Sequence, residues 1–174
     1  MMQVLEAGGV PILTDNIRKA DEDNPAGYYE FERVKQLPKG DKSWVADADG
    51  RAVKVISRLL EHLPQRQYKV IFMHRRMPEL LASQRKMIVH RGQPPDSIDD
   101  EAMTKAFESH LGSIFTWLSS QPNIEVLDVR FSELVGEPLL QVQRIAEFLG
   151  GGLDVEKMAA VVKPGLYRNR AANK

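Results

Sequence analysis

The chain contains no cysteine. That removes a disulfide framework, a thiol nucleophile and any cysteine-ligated metal, and it fits a reducing, cytoplasmic setting. An excess of charge of one sign is also missing, because 24 Lys and Arg balance 24 Asp and Glu. Nothing in that balance points to nucleic acid or an anionic membrane as partner. No apolar run approaches the ~20 residues of a bilayer span, and no charged-then-apolar leader opens the sequence. No pair of histidines and carboxylates has metal-ligand spacing, so no metal is expected. A Gly-x-Ser-x-Gly elbow and a Gly-rich dinucleotide fingerprint are absent as well. What remains is a globular composition, 43% apolar and 28% charged over 174 residues, the size of one domain with its own core.

One stretch carries more information than the rest, Tyr68 to Ser83 (YKVIFMHRRMPELLAS). Val70-Ile71-Phe72-Met73 has the length and apolar character of a buried parallel strand. Arg75 and Arg76 follow at once, then Pro78, suited to a first helical turn because its missing N–H is not needed there. Leu80, Leu81, Met87 and Ile88 recur at helical spacing, and Ser83 lies on the same stripe. The carboxyl end of a parallel strand is where open α/β sheets bind ligands. A guanidinium and a hydroxyl beside a helix start make a receptor for phosphate. The same residues also fit a solvated turn with Ser83 bonded back to the Glu79 carbonyl.

The rest of the chain alternates helix and strand signals. Met1 to Gly9 reads as a helix stopped by Gly8-Gly9, and Val10 to Leu13 as a short strand. Asp15 to Gly27 is a charged loop, Tyr28 to Leu37 a short helix carrying Glu30 and Glu32, and Pro38 to Gly50 irregular around Trp44. Arg51 to Ser57 (RAVKVIS) has the look of a core strand containing Lys54, with a short helical link at Leu59 to Leu63. A helix from Asp99 to Ser119 buries Phe107, Leu111, Ile114, Phe115 and Leu118; Asn123 to Val129 is a strand. The next helix, Ser132 to Leu149, is bent near Gly136 and Pro138 and stopped by three glycines; Asp154 caps Val155 to Val162. Residues 164–174 form a basic tail. Such alternation predicts a three-layer α/β/α domain with a mostly parallel sheet of three or four strands.

Three segments together resemble the P-loop-fold sulfotransferases, which move a sulfuryl group from 3′-phosphoadenosine-5′-phosphosulfate (PAPS) to a hydroxyl or amine. VIFMHRRMPELLAS is similar to the family's 3′-phosphate element, which maps to Arg75 and Ser83. AVKVIS followed by LLEHLP resembles the strand whose lysine lies near the transferring group, here Lys54. VLDVRFSELVGEPLLQVQRIAEFLGG matches a strand, helix and closing Phe-Leu-Gly, with Phe131, Leu134, Pro138, Phe148, Leu149 and Gly150. The resemblance implies a catalytic Lys54, a glutamate base at Glu30 or Glu32, and Arg168 or Arg170 closing over the 3′-phosphate, with Tyr167 to pin the tail. It also implies a nucleotide donor and an acceptor that the sequence does not name.

The departures are specific. The family's Gly- and Ser/Thr-rich loop for the 5′-phosphosulfate is absent, and Met1 to Gly9 looks like the helix that follows it, so a missing first strand and weak or no turnover are expected. The cytosolic branch's histidine after the strand lysine is replaced by Ile56 and Ser57, and His62, His74, His90 and His110 lie elsewhere. Alternatives are a non-catalytic remnant or binding module of the same fold, and a small-molecule kinase, which lacks its Mg²⁺-binding Ser/Thr here. An apolar cleft left by a missing strand would favour self-association.

Overall fold

A computed structural model of the chain describes residues 1–21, 24, 27–90, 92 and 99–163, without the side chains of 86–90. Its centre is a pair of parallel strands, β1 (Tyr68–His74) and β2 (Ile124–Arg130), in register from Tyr68 opposite Ile124 to His74 opposite Arg130. Side chains alternate across a strand, so the pair builds two cores. Val70, Phe72, Ile124 and Val126 pack with Leu60, Ile114, Phe115 and Leu118 on one face. Ile71, Met73, Leu127 and Val129 pack with Val4, Leu5, Val142, Ile145 and Met158 on the other.

Helices cover both faces. The second face carries α1 (Met2–Ala7). After β1 the chain forms α2 (Met77–His90) and then α3 (Asp100–Ser119), and α3 packs on the first face with a 3₁₀ helix at Ser57–His62. Asp99 starts α3 by accepting a hydrogen bond from the Glu101 N–H at 3.0 Å, and Arg85 of α2 donates to Asp100 at 3.1 Å. From β2 the chain runs directly into α4 (Phe131–Gly136), breaks at Glu137, and continues as α5 (Pro138–Leu149) and α6 (Val155–Ala160). Pro138 causes the break, since proline pushes the residue before it out of helical geometry. The strands and helices therefore form an α/β fold around a small parallel sheet. No helix among the described residues is long and apolar enough to cross a membrane.

Several expectations are corrected. Arg51–Ser57 is not a strand: its only ladder is an isolated parallel bridge between Ile12 and Ala52, with Ala52 N–H to Pro11 O at 2.8 Å and Leu13 N–H to Ala52 O at 2.9 Å. The described sheet thus has two strands rather than three or four. Tyr28–Leu37 and the irregular Pro38–Gly50 become two 3₁₀ helices, Glu32–Lys39 and Ser43–Ala48, whose Val34, Leu37, Trp44 and Val45 form a third core. Trp44 anchors it as expected, with the Phe31 ring edge-on at 5.3 Å.

The stop after α1 separates two roles for adjacent glycines. Gly9 has the left-handed φ of 96°, whereas Gly8 keeps helical geometry at φ −76°. Gly8 is needed for space: a Cβ there would lie 2.6 Å from Met158 Sδ, and Met158 is fully buried. Gly8→Ala is therefore expected to cost about 1–3 kcal/mol of stability in urea unfolding. Gly112→Ala, on α3 with open space around the new methyl, is expected to be neutral or slightly stabilising.

Candidate active site

A cleft of about 1660 Å³ runs along one side of β1. Tyr68 through Met73 all line it, residues of both faces, and no residue of β2 does. Only an edge presents both faces of a strand at once, so the cleft follows the edge of β1 that β2 leaves unpaired. Its opposite wall is Gly9–Pro11 and Arg51–Val55, the two segments joined by the Ile12–Ala52 bridge.

Arg75 and Ser83 both line this cleft, Arg75 from the turn after β1 and Ser83 from the second turn of α2. The Arg75 guanidinium lies 4.9 Å from the centre of the Phe131 ring and has no carboxylate partner among the described residues. Ser83 likewise has no hydrogen-bond partner among them, so the back-bond to Glu79 is not made. Lys54 enters from the far wall. Its Nζ donates to the Tyr28 carbonyl at 3.0 Å and lies 3.8 Å from Glu30 Oε1. Burial lowers the pKa of this lysine and the Glu30 charge works against that fall. Burial first, and then the charges of Arg75 and Lys54, lower the pKa of the Met1 amino group.

A model described as the sulfotransferase family matches residues 16–155 of the chain. The chain belongs to the sulfotransferase family. No curated protein and no solved structure matches it.

Around the cleft of this sulfotransferase-family chain the two early glutamates separate. Glu30 faces Lys54, and its carboxylate also meets Arg18 at 3.1 Å and Lys35 at 3.4 Å. Glu32 pairs with Lys35 at 2.6 Å on the surface. Residues 24 positions apart are brought together by staples between two loops. Thr14 Oγ1 donates to the Glu30 carbonyl at 2.8 Å, and the Asp15 carboxylate accepts the Glu32 N–H at 2.6 Å, which holds the Asp15 pKa down. Arg168, Arg170 and Tyr167 lie outside the described residues.

Sequence reasoning overlooked one pair. Ser57 Oγ lies 2.8 Å from His110 Nε2, and both residues line the cleft. The available signal was modest: His110 falls one turn after Phe107 and beside Leu111, on the stripe that faces inward. His74 is differently placed. It bonds Asp128 at 2.6 Å and stacks on Phe115 on the α3 side of the sheet, away from the cleft.

Tyr29 ties this region to α1 through a hydrogen bond from its hydroxyl to Glu6 Oε2 at 2.7 Å, with a left-handed φ of 51°. Burial, with help from Glu6, pushes its pKa up from 10.0 to about 12. The fold favours the neutral phenol, so the stability it contributes is present below pH 10 and lost as pH rises towards about 12. The thermal midpoint of the wild type is therefore expected to fall more steeply over that window than that of Tyr29→Phe.

Proposed function

We propose that the chain binds PAPS and transfers its sulfuryl group to a hydroxyl or amine, with Arg75 and Ser83 on the 3′-phosphate and Lys54 at the sulfuryl end. The observation that carries this reading is the shared cleft: a guanidinium with no carboxylate partner and a hydroxyl with no hydrogen-bond partner among the described residues, and a partly desolvated lysine, border one space large enough for a nucleotide. That donor set suits a ligand with two separated anionic groups. Guanidinium and hydroxyl together match a phosphate monoester. A lysine shielded from water is suited to charge that builds on the bridging oxygen as the S–O bond breaks. Glu30 then serves catalysis by holding the Lys54 ammonium at the cleft wall, and Arg168 remains the family's candidate for closing the 3′-phosphate end.

The free edge of β1 supports the expectation of a further strand. Unpaired backbone groups along an edge accept another strand, and one laid here would run between β1 and Arg51–Val55 and deliver its terminal turn beside Lys54. A Gly/Ser-rich turn at that point would give the 5′-phosphosulfate its backbone N–H donors. A second reading, a nucleotide-binding remnant without turnover, is favoured by the emptiness of that same edge.

Calorimetry with 3′-phosphoadenosine-5′-phosphate tests the grip. Binding is expected without Mg²⁺, and Arg75→Ala is expected to weaken it by about 1.5–3 kcal/mol, roughly ten- to a hundredfold. Absence of heat from the folded protein, or binding confined to ATP with Mg²⁺, defeats the reading. Binding without sulfuryl release from PAPS leaves the remnant. Adding in-frame upstream residues that encode a strand and such a turn is expected to raise turnover, read as nucleotide product formed.

A further inference from the structure

We infer that the Ser57–His110 pair is the proton acceptor for the incoming acceptor hydroxyl, an assignment that rests on the sulfuryl-transfer reading. Transfer to an un-ionised hydroxyl needs a group to take its proton as the oxygen attacks sulfur. The two candidates are His110, which lines the cleft, and Glu30, which sits beside Lys54 rather than on the lining. The Glu30 carboxylate is already engaged by Arg18, Lys35 and Lys54 at 3.1, 3.4 and 3.8 Å. A hydroxyl would have to displace one of these cations to reach it, and displacing Lys54 would disturb the group placed at the sulfuryl end.

His110 has no such competitors. Its Nε2 meets one hydroxyl, Ser57 Oγ at 2.8 Å, and this contact is partly buried. Ser57 follows Lys54 by three residues of extended chain, so their Cα atoms lie within about 11 Å of one another, the reach of three fully extended residues. Both side chains line the cleft. Phe107 and Leu111, on either side of His110 along α3, supply an apolar wall for an acceptor. The imidazole comes from α3, a different element than a histidine placed directly after the strand lysine, and its bond to Ser57 links it to the segment that carries Lys54.

The step balances without a further reactant. The acceptor oxygen bonds to sulfur while the sulfur–oxygen bond to the 5′-phosphate breaks, and the bonding pair leaves with the nucleotide. The acceptor's proton passes to Ser57 Oγ as the Ser57 proton passes to Nε2 of His110, which later releases a proton to water. In this arrangement His110 carries its resting proton on Nδ1, and Ser57 is the donor in the observed bond.

Two phenols of different acidity isolate the role in the full-length protein. Phenol keeps its proton in mildly alkaline buffer, whereas p-nitrophenol gives it up unaided, so only transfer to phenol needs a base. His110→Gln is expected to keep 3′-phosphoadenosine-5′-phosphate affinity, to lose turnover with phenol by about a hundredfold or more, and to lose far less with p-nitrophenol. Imidazole added to His110→Ala is expected to restore part of the phenol rate, and Ser57→Ala to show the same acceptor selectivity as His110→Gln. Equal losses with both phenols, a weakened nucleotide affinity that accounts for the whole effect, or an imidazole-insensitive His110→Ala would each overturn the assignment while leaving sulfuryl transfer intact. A wild type that binds no nucleotide defeats the transfer reading, and this assignment with it. Acceptor selectivity appearing in Glu30→Gln but not in His110→Gln returns the role to the carboxylate.

Discussion

Pairing of β1 along one edge only, among the described residues, is the constraint on which the remaining structure depends. With β2 in parallel register from end to end, both faces of the two-strand sheet are filled by packed side chains. The larger space lies beside the backbone of β1, along the edge away from β2. The cleft is therefore bordered by peptide groups on one side and by the Gly9–Pro11 and Arg51–Val55 segments on the other. Arg75 must emerge at its end because it is the residue next but one to the last buried position of the same strand, Met73. An anion that settles there meets a guanidinium that no described carboxylate neutralises.

Elements fixed by local chemistry were legible in the sequence. β1 and β2 are marked by short apolar runs, α3 by Asp99 and its acidic first turn, the α4–α5 break by Pro138, and the start of α6 by Asp154. Elements fixed by distant partners were not. RAVKVIS has the composition of a strand, but a strand exists only with a hydrogen-bonded neighbour, and beside this segment only residues 11–13 supply one. The same logic decides Glu32–Lys39 and Ser43–Ala48, whose tight turns serve to bring Val34, Leu37 and Trp44 into one core. Arg75 and Ser83 could be paired on paper because one strand-turn-helix carries both. Lys54 and Glu30 could be named separately but not joined, since their contact depends on loop staples from Thr14 and Asp15. Ser57 and His110 are 53 positions apart, and no spacing rule connects them.

The two cations that border the cleft differ in what a ligand must displace. Arg75 rests on an aromatic face and keeps its hydrogen-bond donors available. Lys54 is committed to a carbonyl and a carboxylate, and it is partly withdrawn from water. An arriving dianion can be captured at Arg75 at little expense in broken contacts, whereas it reaches Lys54 only in competition with Glu30. Under the proposed reading, order of engagement follows: the 3′-phosphate end first, the sulfuryl end second. Such an order suits a donor whose remote phosphate supplies binding energy and whose reactive end needs placement.

Placement is also where the structure is most exposed to change. Arg75 and Ser83 stand on β1 and α2, whereas Lys54 and Ser57 stand on a wall whose support is the Ile12–Ala52 bridge and the separate core around Trp44. The two walls also share cores, Ala52 packing in the cluster that holds Ile71 and Met73 and Val55 in the cluster that holds Val70 and Phe72, and the span between Lys54 and Arg75 is set by that packing. In-line displacement tolerates little error in that span, because a misplacement of about 1 Å can cost a hundredfold in rate. In the proposed site the 3′-phosphate contacts come from β1 and α2 and the sulfuryl contact from the Lys54 wall, so a change that moves that wall relative to β1 is expected to alter transfer more than the grip of Arg75 and Ser83.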